Sequence, residues 1–525
     1  MASIIENVNR NIIPLWRTYN QTIASGELAC IGTRLIPVCF DRFDEFVARW
    51  QTKNSIITAA DLINAAIVSD NTKCIEVIKA AEYLVKNREL CSPMAIEIAK
   101  TLLVDSKDDL GSFDEDKKNL NFEKHATLLI KKLKEQEIKT KANIGLLRKK
   151  IHDFCYNAIT YCEIARCYSD LGLNQKARKY MLCAVQLAPH NRYISRCAAR
   201  FFVHYGEPNI AREILINNGW MKSDPWLLAS EIAVDSVMNR SSRFINQGRS
   251  MILSQNYSFF NVSELCFAIC KEDYNANKRK DWQKMFNMGL RDPNDNSLAQ
   301  AEFFVKEKKS IQLNYDKYSM ISRKDEADTR NYFSLAQYED AFISSVKWMQ
   351  NYRFSRLPID FAFEISCDFL KKYDYSISII KYWLEAHPQD YAMINNLVYV
   401  LGLSGQLEEA EQYLSKINIE QQLSQKIDNG ICFLATKGLI EYRKGNIDEG
   451  RSCYQFAIDT AKRMQKKDLA SKARLNMIRE EVHCVGDFNR NILKELNTLN
   501  TGNEVETEQL RKDIYSEIGR LNRES

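Results

Sequence analysis

Two glycine–alanine pairs recur at an interval of 34 residues in the N-terminal half of the chain. Gly172 stands five residues before Ala177, and Gly206 stands five residues before Ala211. A glycine permits the positive φ of a tight turn, and a small residue shortly after it lets the next helix cross close to the previous one. The stretch Asn157–Ala211 therefore predicts two helical hairpins stacked in tandem, an arrangement that grows by repetition rather than around one compact core.

Each predicted hairpin contains the same parts in the same order. In the first unit Ala165 is the small crossing residue, Gly172 makes the turn, Ala177 is the second small residue, and Pro189 ends the second helix because proline cannot continue it. The second unit repeats the order with Ala199, Phe202, Gly206, Ala211 and Leu215, and its proline is displaced to Pro225.

The five-residue step returns in the C-terminal half, from Gly405 to Ala410 and from Gly445 to Gly450. Ser376 lies 34 residues before Ala410, which extends the period to the preceding helix pair. Between residues 225 and 307 the spacing drifts, and there we expect degenerate helical hairpins. The apolar and small positions that support the C-terminal units are Leu397, Leu401, Leu414, Gly438, Tyr442, Tyr454 and Ala457.

This pattern resembles the tetratricopeptide repeat, a 34-residue helix–turn–helix unit with small residues at its eighth and twentieth places and a terminal proline. The resemblance covers about half of the chain. It implies an all-α fold, an α-α superhelix of helical hairpins, with an N-terminal helical domain before it. It also implies scaffolding, since members of the family commonly grip peptides or helices of partner proteins. The motif specifies the fold better than the task.

Spacing and composition divide the chain into six parts. An acidic run at residues 105–116 and a basic run at residues 131–150 separate the N-terminal domain from the repeats. The predicted parts are an N-terminal helical domain (1–104, with apolar stretches at 12–16, 28–40 and 43–50), a charged linker and amphipathic helix (105–150), an N-terminal repeat array (151–310), a polar hinge (311–330), a C-terminal repeat array (331–495), and a polar tail (496–525) with a possible final helix at 504–521.

The composition of the chain says more about where the protein is located than about what it does. The chain of 525 residues contains 73 lysines and arginines and 68 acidic residues, which gives a net charge of +5. A surface that binds nucleic acid would therefore have to be a local basic patch. The cysteine count is odd, 15, and most of the thiols fall in apolar periodic segments, which indicates free cysteines in a reducing compartment. With no secretion signal and no apolar run of about 18 residues, we expect a cytoplasmic protein without a membrane segment.

No catalytic motif is recognisable. The sequence contains no phosphate-binding GxxxxGK[ST] loop, no dinucleotide-binding GxGxxG after a strand, no HExxH and no CxxC. His152, Cys155, Cys162 and Cys167 come closest to a ligand cluster, but their spacing matches no zinc module, and a helix turns them to different sides. We therefore expect no enzyme, no metal site and no cofactor, with an unrecognised activity in residues 1–104 as an alternative.

The candidate binding residues lie where the first helix of each hairpin faces the concave groove. Arg192, Arg196 and Arg200 follow one another at one-turn intervals, and Arg166 precedes Arg200 by 34 residues, so successive units place them side by side. Guanidinium groups suit carboxylates and phosphates. With His204, these residues predict a patch for an acidic protein segment or a nucleic-acid backbone. The alternative is a solvated helix face that pairs internally with Asp170, Glu163 or Glu207.

The equivalent positions of the C-terminal array are Asn395 and Tyr399, then Ala435 and Leu439. This groove is neutral to apolar and suits a helix or an apolar peptide. The sequence thus predicts a non-enzymatic scaffold or adaptor that binds protein partners through two chemically distinct grooves. A nucleic-acid-associated regulator using the arginines and the basic run at 131–150 is the alternative.

Overall fold

The computed structural model describes most of the chain as helix. The described residues are 10–18, 43–69, 71–91, 93–108, 121–153, 157–254, 256–307, 313–319, 321, 323–486, 490–499 and 505–524. Within them the chain forms 26 α-helices and no strand. The predicted all-α fold, an α-α superhelix of helical hairpins, is confirmed.

In the described part of the chain five helices precede the repeats, and the shorter ones pack in sequence against their neighbours. The fourth begins at Pro93, where proline suits the first turn of a helix. The fifth contains 32 residues and carries the basic run of the sequence along its length. These helices are α1 (Phe43–Thr52), α2 (Ile56–Ser69), α3 (Ile75–Lys86), α4 (Pro93–Asp108) and α5 (Phe122–Asp153).

One part of the predicted N-terminal helical domain is not helical. Residues 10–18 have no regular secondary structure. Pro14 lies in the middle of this stretch, where it removes a backbone donor and disfavours helical geometry for the residue before it. The apolar stretch at 28–40 and most of the acidic run, residues 109–116, lie outside the described residues.

In the first array, asparagine side chains cap the N-termini of the first helices of two hairpins. The Asn157 side chain accepts a hydrogen bond from the Thr160 amide, and Asn191 accepts one from the Ile194 amide. The helices of this array are α6 (Ala158–Asp170), α7 (Asn174–Leu187), α8 (Arg192–His204), α9 (Pro208–Asn217), α10 (Pro225–Val237), α11 (Ile245–Leu253), α12 (Phe259–Asn275), α13 (Arg279–Gly289) and α14 (Asp295–Glu307).

The second array contains two wide π-helical turns, Ile365–Phe369 after α17 and Glu481–Val485 after α24. The last helix, α26, packs against α24 and against both π turns. The helices are α15 (Asp325–Ser334), α16 (Tyr338–Asn351), α17 (Leu357–Glu364), α18 (Tyr373–Ala386), α19 (Tyr391–Leu403), α20 (Leu407–Leu414), α21 (Ile419–Gln425), α22 (Ile427–Arg443), α23 (Ile447–Arg463), α24 (Lys467–Glu480), α25 (Arg490–Thr498) and α26 (Val505–Glu524).

The two arrays share one core because the second array packs back on the beginning of the first. Helix α5 lies against α16 and α18. The Arg353 guanidinium pairs with Asp170 at 3.0 Å, and the Arg166 Nη2 donates to the Asn351 carbonyl at 2.6 Å. One continuous cluster of buried apolar side chains extends from Ile12 to Ile440. In the described part of the chain, no helix has the length and apolar character needed to cross a bilayer.

The two repeat glycines that open the sequence argument make a matched test of this packing. Gly172 and Gly206 both adopt positive φ, +69° and +76°. A Cβ at Gly206 would meet no atom within 4 Å, whereas a Cβ at Gly172 would overlap the Ala386 carbonyl oxygen of α18. We expect Gly206→Ala to destabilise the protein by about 1–2 kcal/mol through the left-handed backbone alone. Gly172→Ala should lower the free energy of unfolding by a further ~1–3 kcal/mol, because its Cβ overlaps the Ala386 carbonyl oxygen.

The measurement is the thermal unfolding midpoint of each variant, followed by circular dichroism. A lower midpoint for Gly172→Ala than for Gly206→Ala is the expected order. Equal midpoints would contradict the close approach of α18 to the first turn.

Candidate functional site on two inner faces

The inner face of the first array is occupied by the chain itself. Residues 10–18, termed here the internal segment, lie against α8, α14 and α15. Trp16 is fully buried, with its ring 5.6 Å from the ring of Phe201 and 5.2 Å from the ring of Phe354. The Tyr193 hydroxyl donates to the Arg17 carbonyl at 3.0 Å. The groove that the sequence assigns to a partner peptide therefore holds an extended segment of the same chain.

Arg10 anchors the start of the internal segment. Its guanidinium binds both carboxylate oxygens of Glu326, at 2.8 and 3.0 Å, and donates to Asn296 and Gln300 on α14. Arg330 also pairs with Glu326, at 2.9 Å. Burial raises the pKa of Glu326, but the two guanidinium groups outweigh burial and hold that pKa at about 2. At neutral pH the cluster is thus ionised and fully engaged.

Arg192 and Arg196 lie in internal ion pairs. They are only 1% and 2% exposed. Arg192 binds Asp224 at 2.5 Å, and the other oxygen of Asp224 caps α10. Arg196 reaches both oxygens of Glu264 at 3.0 and 3.2 Å.

The carboxylate of Glu264 joins the Arg196 pair to the internal segment. Its Oε1 accepts from the Asn296 side chain at 3.1 Å. The same amide group of Asn296 lies 3.1 Å from the Ile13 carbonyl, and the amide oxygen of Asn296 accepts from Arg10. A buried polar network therefore connects Arg196 on α8, Glu264 on α12, Asn296 on α14 and the internal segment.

Arg166, Arg200 and His204 surround a single aromatic ring. The guanidinium carbons of Arg166 and Arg200 each lie 5.8 Å from the centroid of the Phe354 ring, and the His204 ring meets it edge-on at 5.3 Å. Burial and the neighbouring Arg200 charge lower the pKa of His204 to about 4. The structure thus brings all five predicted N-terminal residues to one inner face. Their contact with a partner stays a prediction.

The alternative carboxylates named from the sequence have other partners. Asp170 pairs with Arg353, and Glu207 pairs with Arg178 at 3.1 Å. The acids that neutralise Arg192 and Arg196 are Asp224 and Glu264, which lie 32 and 68 residues further along the chain. Sequence spacing alone did not identify these pairs, because both join residues of different hairpins that lie far apart along the chain.

The inner face of the second array contains an open cavity of about 300 Å³. The first helices of successive hairpins, α17, α19, α22 and α24, form its walls, and α26 closes one side. Most of its lining is apolar. Both predicted residues of this array, Asn395 and Tyr399, line the cavity.

Several polar atoms of the cavity wall are buried without a hydrogen-bond partner. They are the Oε1 of Glu364, the Oδ1 of Asn395 and the Nη2 of Arg479. Tyr399 is engaged: its hydroxyl accepts from Arg479 at 2.8 Å and lies 3.2 Å from the Asn476 amide oxygen. An unpaired buried polar group costs about 1–3 kcal/mol, so these atoms mark a place where a ligand group gains by binding.

Glu364 and Arg479 are functional candidates that the sequence argument missed. A signal for Glu364 existed: Asp360, Glu364 and Asp368 recur every four residues in a segment that is otherwise mostly apolar, so they share one helix face. Arg479 had no comparable signal, because it lies in a helix that contains other charged residues at many positions.

The hairpins, their inner faces and the short turns between helices define a helical-repeat protein. More specifically, a family model described as the tetratricopeptide repeat matches residues 158–191, which span α6 and α7. Residues 158–191 thus match a tetratricopeptide repeat at the place where the glycine–alanine spacing predicts one.

Two other comparisons add no functional detail. No curated protein matches the sequence. Among solved structures, the crystal structure of the yeast Tom70 is similar over 77% of this chain and 97% of that chain, at 12% identity and a TM-score of 0.29. A TM-score of this size is too low for the likeness to bear on fold or function.

Trp16 provides a test of the internal segment. Trp16→Ala should destabilise the segment by about 3–5 kcal/mol, because it empties a fully buried aromatic site. We expect trypsin to cleave after Arg17 much faster in this variant than in the wild type, where that side chain is buried, as mass spectrometry of the digest would detect. Leu15→Ala is the matched control, since Leu15 is only partly buried. Equal cleavage of wild type and Trp16→Ala would contradict the placement.

His204 predicts a pH effect on stability. Its folded pKa of about 4 lies below the ordinary value of 6.5, so the unfolded chain binds more protons between those pH values. Stability should therefore fall as pH drops from 6.5 to 4, by up to about 1.4 kcal/mol per pH unit from this group. His204→Phe keeps an aromatic ring and should reduce that loss in unfolding midpoints measured across the range. An unchanged pH slope would argue against a buried neutral imidazole.

Proposed function

We propose that the protein is a non-enzymatic scaffold or adaptor whose C-terminal cavity binds a segment of a partner protein. The observation that carries this proposal is the combination of an open, mainly apolar cavity with buried polar atoms that lack partners. Apolar walls supply burial energy, and a few placed polar groups fix the orientation of a ligand. The tetratricopeptide repeat supports protein binding as the general role, with the partner itself to be identified by experiment.

The two inner faces have unequal roles in this proposal. In the first array the internal segment covers the inner face, and Arg192 and Arg196 are neutralised by Asp224 and Glu264. An acidic partner segment would reach Arg166 and Arg200 only after the internal segment leaves. We therefore assign the primary binding site to the second array. A cytoplasmic location, proposed from the cysteine pattern, provides access to such partners.

The test is selection from a displayed library of random short peptides on the full-length protein. Ala435 lines the cavity and is partly exposed, so Ala435→Trp fills the site from α22. Lys437→Trp is the matched control: it lies on the same helix but faces α23, where Lys437 contacts Glu449 at 3.3 Å. Unfolding midpoints of both variants check that the fold is retained.

We expect the wild type to select related peptides that bind at least about tenfold more weakly to Ala435→Trp and equally well to Lys437→Trp. Peptides that bind all three proteins equally would place recognition elsewhere on the surface. Selection of no peptide by the wild type would contradict the proposed function.

A further inference from the structure

A row of three acidic side chains follows one face of α17 into the π turn. Asp360 pairs with Arg356 at 3.0 Å. Asp368, four residues beyond Glu364, lies near Lys371 and Lys472. Glu364 stands between them, is 7% exposed, and has a carboxylate oxygen without a hydrogen-bond partner. Asp360 also retains a buried carboxylate oxygen without a partner, but of these two residues it is Glu364 that lines the cavity of about 300 Å³.

A second unmet acceptor comes from a different helix. Asn395 on α19 is 3% exposed and its side-chain oxygen has no hydrogen-bond partner. Glu364 and Asn395 line the same cavity. Two buried acceptors without donors, presented by two helices to one space, suit a ligand that donates hydrogen bonds.

The charges around Glu364 favour a cation. Asp360 and Asp368 face it from its own helix and π turn, Glu506 faces it from α26, and Lys472 from α24. Lys472 is engaged with Glu506 at 3.3 Å. Burial and the nearby carboxylates raise the pKa of Glu364 well above its ordinary value, so a cation bound beside Glu364 stabilises its ionised form.

The lining of the cavity suits an organic cation better than a metal ion. The described residues contain no group of three or more His, Cys, Asp or Glu side chains that could hold a metal. The cavity walls instead offer apolar and aromatic surface, including Tyr399 and Leu403, on which an alkyl stem can pack. Lysine and arginine side chains combine such a stem with a charged donor.

The cavity also continues as a groove. A neighbouring depression lined by Arg356 and Asp360 shares Asn395, Asn396, Cys432 and Leu469 with it. An elongated site of this kind fits an extended segment better than an isolated small amine. The unpartnered Nη2 of Arg479 provides a donor for a backbone carbonyl of such a segment.

We propose that Glu364 and Asn395 bind the side chain of a lysine or arginine carried by the partner segment. This inference rests on the proposed function, since it names the chemistry recognised at the same cavity. Glu364 supplies the countercharge, Asn395 a neutral acceptor, and the apolar wall covers the stem. An ion pair in this partly dry site selects a basic residue over a neutral one of the same length.

The test measures binding of three matched probes to the full-length protein by ligand-observed NMR. The probes are N-acetyl-lysine methylamide, N-acetyl-arginine methylamide and the neutral N-acetyl-norleucine methylamide. We expect the wild type to prefer the basic probes by at least about tenfold, as a charged hydrogen bond warrants. Glu364→Gln should abolish most of that preference, and Glu408→Gln, at an exposed position of α20, should leave it unchanged.

Asn395→Val tests the second acceptor and replaces Glu364→Gln if that variant has a lowered unfolding midpoint. It should weaken binding of the lysine probe several-fold. Equal affinity of the wild type for the basic and neutral probes, or no binding of any probe, would overturn the inference. So would an unchanged preference in a folded Glu364→Gln protein.

The two proposals fail in different ways. Selection of no peptide from the displayed library would remove the proposed function. Selected peptides that lack basic residues, and that bind wild type and Glu364→Gln equally, would remove only the assignment of a basic side chain to Glu364.

Discussion

The buried guanidinium of Arg10 ties the beginning of the chain to the junction of the two arrays. It contacts α14 through Asn296 and Gln300 and α15 through Glu326. Removing one partner of a buried ion pair leaves an uncompensated charge, so each member of this cluster holds the others in place. This anchor fixes one end of the segment that places Trp16 against Phe201 and Phe354. The internal segment is thus part of the architecture of the first array.

Although the two arrays are built from the same kind of hairpin, the chain itself covers the inner face of the first array, whereas the inner face of the second array is open. In the first array, Arg192 and Arg196 meet carboxylates of the same chain, and an extended segment covers the space between the helices. In the second array, Glu364, Asn395 and Arg479 each retain a buried atom without a partner. Native proteins leave few buried polar atoms unpaired. The first face also retains such atoms, on Arg166, Arg192 and Arg200, but the internal segment covers it. The unpaired atoms of the second face line an open cavity that a ligand can enter.

Local sequence signals were sufficient to predict the helices and turns, but they did not predict contacts between residues far apart along the chain. The glycine turns and the final helix depend on neighbouring residues, so spacing along the chain was sufficient to place them. The partner of Arg196 is 68 residues away and that of Arg10 is 316 residues away. A single sequence read by itself carries no signal for such pairs, so Arg192 and Arg196 were predicted to be open when they are internally paired. The prediction of a helical domain was wrong for residues 10–18, where Pro14 was an unused signal against a helix.

The two π turns favour a ligand at the second inner face on independent grounds. One contributes Cys367 and Asp368 to the cavity wall, and the other contributes Val482 and His483. A π turn replaces regular hydrogen bonds with a wider and rarer geometry, and it frequently occurs at functional sites. A helix whose only role was packing would be more stable with regular α-helical hydrogen bonds. Both turns line the same cavity and both touch α26, which favours a role for the shape of this space beyond stability.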